Sequence, residues 1–197
     1  GTGTASRRLP QDEGGWTVGA LVQANYGRRE RLTVDGVPVG REITAHEVPT
    51  PWNDTPSAPP QGAGSIIAIV ATDAPLLPHQ CERIAQRAGL GIARVGGAGE
   101  HSSGDLFLAF STANRGRLTS YKDDNAGADP FDVTMLPDAA ISPLFWATIE
   151  AVEEAILNAL VAADTLSGID GVTAHALPHD RLVEVMTAYG RGPATIV

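Results

Sequence analysis

Apolar and polar positions alternate loosely in the stretch GGWTVGALVQANYG near the start of the chain. Its large apolar residues are Trp16, Val18, Leu21 and Val22. This pattern predicts a mostly buried β-strand that ends near Asn25. Farther along, the dipeptide Asp35-Gly36 separates two short β-prone runs in RLTVDGVPVG. Because Asp-Gly tolerates the positive φ of a tight turn, this stretch predicts a β-hairpin.

The run SIIAIVAT, which begins at Ser65, is nearly all apolar and β-branched. Such a short apolar run is typical of a central strand that is covered on both faces. A linker with prolines at 49, 51, 56, 59 and 60 precedes it and ends at Gly64. Proline lacks the N–H that a sheet ladder needs, so we expect this linker to be extended and exposed.

Apolar residues at three- and four-residue spacing predict three helices. They cover residues 75–88, with Gly89 as the terminating residue, 141–166, with Gly168 as the terminating residue, and 178–189. The runs DLFLAFST and GVTAHALP predict two further strands. Strands and helices both occur in pairs, which favours an α+β fold or a layered αββα sandwich formed by one domain over residues 1–197.

Composition and charge narrow the range of partners. Of 197 residues, 43% are hydrophobic and 19% are charged, as in a soluble globular domain. The formal net charge of −9 would repel a phosphate backbone, so we expect no nucleic-acid partner. The apolar stretches are too short to cross a bilayer and no signal peptide appears at the start, so we expect no membrane partner. With one cysteine, Cys81, the compartment stays open between cytoplasm and periplasm, and we favour the cytoplasm.

Metal and cofactor sites are not predicted. The five histidines are scattered, and the one pair at i, i+4 spacing, His175 and His179, spans Pro178 and so does not form the pair of a metalloprotease helix. The acidic stretch from Asp123 to Asp132 lacks the spacing of a calcium loop. Glycines at 96, 97 and 99 do not follow a strand in the pattern of a phosphate-binding loop.

Two serine regions remain as candidate chemistry. Ser65 begins a buried strand, and Ser103 and Asp105 stand two residues apart at the start of another strand, where both side chains would face one side. No Gly-x-Ser-x-Gly nucleophile elbow occurs, although a serine triad can still be assembled in space. Asp105 either caps its own turn or bonds to another group, because an unpartnered buried carboxylate is costly. The residues alone leave both interpretations open.

Many blocks of the chain, taken in order, carry a resemblance to a known family. They are GTGTASR, VGALVQANYGRR, VDGVPVG, GAGSIIAIVATDAPLLPHQCERIAQRAGLGIARVGG, HSSGDLFLAFSTAN, EAVEEAILNAL and HALPHDRL. Together they resemble the DmpA/BapA family of serine aminopeptidases. The resemblance implies an αββα sandwich similar to that of the N-terminal-nucleophile (Ntn) hydrolases, of the DmpA/ArgJ-like kind.

The resemblance also implies a self-cleaved precursor and a set of site residues. Members cut themselves before a serine, which here places the cut between Gly64 and Ser65. Residues 1–64 then correspond to the C-terminal part of the α chain and 65–197 to the β chain, with the N-terminal portion of the α chain missing. Ser65 corresponds to the nucleophile, Ser103 and Asp105 to its accompanying serine and carboxylate, and Asn25 to an oxyanion donor. Some members carry glutamate where Asp105 stands.

By the same resemblance, the activity is that of an aminopeptidase. Its substrates would be peptides or aminoacyl amides and esters with a free L-, D-Ala- or β-amino-acid terminus, and αβ units would form a homo-oligomer. An ornithine-acetyltransferase-like enzyme is one alternative, but that class uses a threonine where Ser65 stands. An uncleaved homologue that serves as a binding or assembly module is the other.

Overall fold

Four strands form the main sheet of the computed structural model, which describes residues 1–50, 64–116 and 130–192. In sheet order they are β1 (Thr2–Arg8), β2 (Thr17–Asn25), β3 (Ser65–Thr72) and β4 (Leu106–Ser111). β2 is antiparallel to both β1 and β3, whereas β3 and β4 are parallel. The register pairs Asn25 with Ser65, so the end of β2 and the start of β3 lie side by side.

The prediction of β2 and of a central β3 is confirmed, but β3 is covered on one face only. Ile66 is fully buried, whereas its neighbour Ile67 is 40% exposed. The two long helices pack on the Ile66 face, and the opposite face presents exposed Leu21, Leu108 and Phe110. The described residues therefore build one helical layer and one sheet layer, and the α+β class is confirmed.

Strand β1 was not predicted. It is short of large apolar residues because it lies close against a helix: a Cβ on Gly3 would come within 2.0 Å of the Ala155 carbonyl oxygen. Small residues permit this approach where a periodic apolar pattern would prevent it.

The helices are α1 (Val39–Glu42), α2 (Pro78–Arg94), α3 (Ser142–Val161) and α4 (His179–Ala188). The prediction that α2 ends at Gly89 is wrong, because the helix continues for five further residues. Its other glycine, Gly91, serves helix packing, since a Cβ there would lie 2.6 Å from the Ile149 carbonyl oxygen of α3. α3 ends earlier than predicted because Leu166 belongs to a small hairpin.

That hairpin consists of β5 (Leu166–Ser167) and β6 (Thr173–Ala174), so the strand predicted in GVTAHALP is only two residues long. The turn predicted at Asp35-Gly36 is present, with φ of +46° and +77° at the two residues. This turn closes only an isolated β-bridge between Val34 and Val37, not a hairpin. The helix α1 follows where the second strand of the hairpin was predicted.

Two hydrophobic clusters hold these elements together. The larger lies between the sheet and α2 and α3; its fully buried members include Val18, Val22, Ile66, Ile84, Leu144 and Val152. The smaller joins the segment 32–48 to α4; its buried members are Val37, Val39, Ile43, Val48 and Val185. Most of the proline-rich linker and the stretch 117–129 lie outside the described residues. Within the described parts, no helix is long and apolar enough to span a membrane.

Candidate active site

Ser65 lies at the first position of β3, half-buried, with its backbone paired to Asn25 of β2. Its Oγ accepts a hydrogen bond of 2.9 Å from the backbone N–H of Gly104. In the three described ranges, no acceptor binds the Ser65 hydroxyl proton. The oxygen is thus oriented by one donor while its own proton stays available for transfer.

Asp105 is held by β3 rather than by its own turn. Its Oδ1 accepts a hydrogen bond of 3.0 Å from the N–H of Ile66, the residue that follows Ser65. Of the two interpretations left open by the sequence, the bond to another group is the one observed. The carboxylate therefore lies against the backbone that carries Ser65.

Ser103 precedes β4, which begins at Leu106, so the prediction that it stands at the start of the strand is wrong. Its N–H donates to the carbonyl oxygen of Glu100 at 2.8 Å, which closes a turn. This turn takes the chain into Gly104, whose N–H then meets Ser65. The Ser103 hydroxyl is half-exposed and forms no hydrogen bond with another described residue.

Gly64 occupies a conformation and a space that favour glycine. Its φ is +149°, and a Cβ built on it would lie 2.3 Å from the carbonyl oxygen of Asn25. The backbone immediately before Ser65 therefore passes closer to β2 than a side chain allows. Gly64, Ser65 and Asn25 are brought together at one end of the sheet.

Two residues of this region were missed in the sequence: Gly104 and Tyr26. Burial raises the pKa of the Tyr26 phenol, and the negative charge of Asp105 raises it further. The phenol is therefore neutral and lies in the field of the site carboxylate. Its position directly after Asn25 was a usable signal for Tyr26, whereas the contact of Gly104 depends on the path of a loop and has no local signal.

A cavity of about 360 Å³ opens beside the end of β2, between the two hydrophobic clusters. Asn25, Tyr26, Arg28 and Arg29 contribute to its lining, and Ser65 does not. Burial lowers the pKa of the Arg29 guanidinium, which donates to the carbonyl oxygens of Thr44 and Val48. Among the described residues, no group of three or more His, Cys, Asp or Glu side chains is placed to hold a metal ion.

The chain is similar to known proteins in sequence and in fold. The family model described as Peptidase family S58 matches residues 1–174. A β-peptidyl aminopeptidase, BapA of Sphingosinicella microcystinivorans, is 45% identical over an alignment of 196 residues that covers 97% of this chain and 48% of that protein.

Two solved structures are similar in fold and sequence. A β-aminopeptidase from a Burkholderia species superposes with a TM-score of 0.85 and 51% identity, covering 98% of this chain and 50% of that one. The L-aminopeptidase D-Ala-esterase/amidase of Ochrobactrum anthropi, described as a variant of the Ntn hydrolase fold, gives a TM-score of 0.79 and 42% identity, covering 98% and 49%.

The chain spans about half the length of the relatives it matches. The family match nevertheless covers most of the chain, including both strands that meet at Ser65. The chain therefore belongs to peptidase family S58.

Proposed function

We propose that the complete protein is a self-processing serine aminopeptidase whose nucleophile is Ser65. The observation that carries this proposal is the environment of Gly64 and Ser65: a conformation suited to glycine, then a serine whose Oγ is oriented by Gly104 at the head of a strand. The names of the relatives, β-peptidyl aminopeptidase and L-aminopeptidase D-Ala-esterase/amidase, support the substrate class.

Self-cleavage would occur between Gly64 and Ser65. The Ser65 Oγ attacks the Gly64 carbonyl carbon, the C–N bond breaks as the nitrogen takes a proton, and an ester links Gly64 to Oγ. Water then hydrolyses the ester to leave a carboxylate on Gly64 and a free amine and hydroxyl on Ser65. The absence of a Cβ on Gly64 favours this attack, since glycine adopts the positive φ observed here and leaves room for Oγ to approach the carbonyl carbon.

The cut would divide the chain into residues 1–64 and 65–197 without separating them. β2 precedes the cut and β3 follows it, and the two strands pair along their length from Val18 and Thr72 to Asn25 and Ser65. They also share the larger hydrophobic cluster. Backbone pairing and buried apolar area keep both chains in one folded unit after the bond is broken.

In turnover, the free amine of Ser65 serves as the general base for its own hydroxyl. An α-amino group has an ordinary pKa of about 8, close to working pH, whereas a serine hydroxyl without a base is a weak nucleophile. Oγ attacks the carbonyl carbon of an amide or ester, and the leaving group departs with the proton. Water hydrolyses the resulting acyl-serine to regenerate the enzyme.

Asn25 and Asp105 stabilise the charged groups of this reaction. Asn25 lies beside Ser65 in the sheet and donates its side-chain N–H to the developing oxyanion, a contribution typically worth about 3–4 kcal/mol. Asp105 is bonded to the backbone next to Ser65, so its negative charge holds the terminal amine or the ammonium group of the substrate. Ser103, two residues before Asp105, is the second serine of this proposed site.

Intact-mass analysis of the complete precursor tests the proposal. The parent protein should give two chains divided at Ser65 and hydrolyse β-alanyl, L-alanyl or D-alanyl amides. Ser65→Ala should remain one chain and lose hydrolysis. Ser111→Ala, which removes a hydroxyl at the far end of β4, should be cut as the parent is. Cleavage or turnover by Ser65→Ala would overturn the proposal, and a single band from the parent would favour the binding module.

A further inference from the structure

Glu100 joins the stretch that follows β2 to the loop that follows α2. Its carboxylate accepts a hydrogen bond of 2.7 Å from Arg31 Nη1 and one of 3.2 Å from Arg28 Nη2, and Arg28 Nε lies 3.1 Å from its Oε1. Glu100 Oε1 thus accepts from Arg31 and Oε2 accepts from Arg28, while Arg28 Nε approaches Oε1 within ion-pair distance but is not hydrogen-bonded to it. The Glu100 side chain is only 23% exposed, so solvent screens these contacts less than those of a surface pair.

The backbones of the two segments also approach closely around this ion-pair cluster. A Cβ on Gly96 would lie 1.9 Å from the Arg31 carbonyl oxygen, and one on Gly97 would lie 2.8 Å from the ring of Tyr26. The Thr33 hydroxyl donates to the Arg94 carbonyl oxygen at 2.6 Å. The stretch after β2 and the loop after α2 are therefore in contact at several points.

Glu100 connects this contact to the reacting atoms through its own backbone. Its carbonyl oxygen accepts the N–H of Ser103, and the next two residues reach β3: Gly104 N–H donates to Ser65 Oγ and Asp105 accepts from Ile66 N–H. On the other segment, Arg28 lies three residues after Asn25. The ion-pair cluster thus links the loop that orients the Ser65 oxygen to the strand that carries the proposed oxyanion donor.

We propose that Glu100 is a positioning residue for Ser65. By pairing with Arg28 and Arg31, it holds the loop whose Gly104 N–H orients the Ser65 oxygen. The assignment rests on the proposed function, because it concerns the geometry of that reaction. Displacement of a reacting group by about 1 Å can lower rates by about 100-fold. Loss of the carboxylate charge leaves the loop attached by its turns but free to shift Gly104 relative to Ser65.

Glu100→Gln in the complete protein tests this role, with Glu153→Gln as the matched control. Glu153 is also largely buried and pairs with Arg94 at 2.9 Å, but it lies on α3. We expect Glu100→Gln to lower kcat and slow self-cleavage by about 10-fold while KM stays within about 2-fold, because a misplaced nucleophile affects the chemical step. Glu153→Gln should change neither rate, and Glu100→Asp should restore part of the loss.

A double-mutant cycle with Arg28→Gln separates positioning from a general loss of stability. If Glu100 acts through Arg28, the double variant should be no slower than Glu100→Gln alone. Equal kinetics of Glu100→Gln and Glu153→Gln, or a lower thermal midpoint with unchanged kcat and cleavage, would overturn the role of Glu100. Activity of Ser65→Ala would instead overturn the proposed function, and the role of Glu100 with it.

Discussion

The two ends of β3 carry the same kinds of polar residue in different states. At its far end, the buried Thr72 hydroxyl donates to the Thr17 carbonyl oxygen at 2.8 Å and accepts from Ala74 N–H at 3.1 Å, while Ser111 Oγ donates to the Ala74 carbonyl oxygen. At its near end, Ser65 Oγ accepts from Gly104 and, among the described residues, donates to none. Hydrogen-bond satisfaction, and not residue type, separates a hydroxyl that holds the chain from one that can react.

The carboxylates at the two ends differ in a parallel way. Asp73 accepts the N–H of Thr17 at 2.7 Å and Asp105 accepts the N–H of Ile66 at 3.0 Å, so each ties two backbone segments together. Only Asp105 lies beside a serine hydroxyl that, among the described residues, donates to no acceptor, and its charge raises the pKa of the partly buried Tyr26 phenol. One strand thus has a structural end and an end suited to chemistry, and variants at matched positions test the distinction.

Replacement of the residue before Ser65 should have the largest effect. Gly64→Ala places a Cβ about 2.3 Å from the Asn25 carbonyl oxygen in a backbone conformation that alanine disfavours. The near end must then shift, and we expect self-cleavage to fall by at least about 100-fold, as when reacting groups are displaced by about 1 Å. Intact mass over time measures it.

Gly27→Ala is the control for Gly64→Ala. Its φ of +79° brings backbone strain, but nothing lies within 4 Å of its Cβ position. This variant should lose about 1 kcal/mol of stability and still cut at the parental rate. Normal cleavage by Gly64→Ala would show that the close approach to β2 is irrelevant to the reaction.

Replacement of the carboxylates at the two ends of β3 should give the next largest effect on activity. Asp105→Asn and Asp73→Asn each replace a charged acceptor of one backbone N–H by an amide. Both should lower the free energy of unfolding by about 1 kcal/mol. Only Asp105→Asn should lower kcat/KM, by about 100-fold, because the charge beside the Ser65 amine is lost. Steady-state kinetics and urea midpoints measured on the same samples check this, and equal kinetic losses would remove the distinction between the ends.

The two strands that meet at the near end were predictable from sequence, because the patterns that predict them are local. The apolar run that begins at Ser65 and the alternation before Asn25 are local patterns, so both strands were predicted. Gly89 and Gly91 were not interpretable locally, because a helix that continues past a glycine does so for tertiary packing: Gly91 faces Ile149. Strand β1, with Gly3 pressed against α3, was missed for the same reason.

The candidate site shows the same limit. Ser65, Asn25, Ser103 and Asp105 were chosen by resemblance to a family, and the residues alone left Asp105 between two interpretations. The contact between Gly104 and Ser65 spans 39 residues of sequence and depends on a loop that Glu100 ties to Arg28. Pairing of that kind has no periodic signature in a single sequence.

The far end should respond in stability alone. Thr72→Val removes a buried hydroxyl that bridges Thr17 and Ala74 and leaves both partners without it. Leaving the buried N–H of Ala74 without an acceptor costs about 1–3 kcal/mol, so the urea midpoint should fall while kcat stays within about 2-fold. Thr112→Val, at an exposed hydroxyl, should change the midpoint much less. A fall in kcat with Thr72→Val would mean that the two ends are coupled.

The smallest effect should appear at alkaline pH, at the near end. Burial and then the charge of Asp105 raise the pKa of Tyr26 above its ordinary value of 10.0. The folded state thus keeps the phenol protonated where the unfolded state releases its proton. This stabilisation is complete below pH 10 and is lost as the pH rises toward the folded pKa, at no more than about 1.4 kcal/mol per pH unit.

Urea midpoints of the complete protein at pH 9 and pH 11 measure this loss. The parent should lose more stability between these pH values than Tyr26→Phe, which has no phenol to titrate. Asp105→Asn should lose nearly as much as the parent, because it removes the charge but leaves the burial, which is the larger cause of the raised pKa. Asp73→Asn should behave as the parent, since its carboxylate lies at the other end of β3. Parallel losses in the parent and Tyr26→Phe would mean that the phenol titrates alike in both states, and the near end would lose this electrostatic difference from the far end.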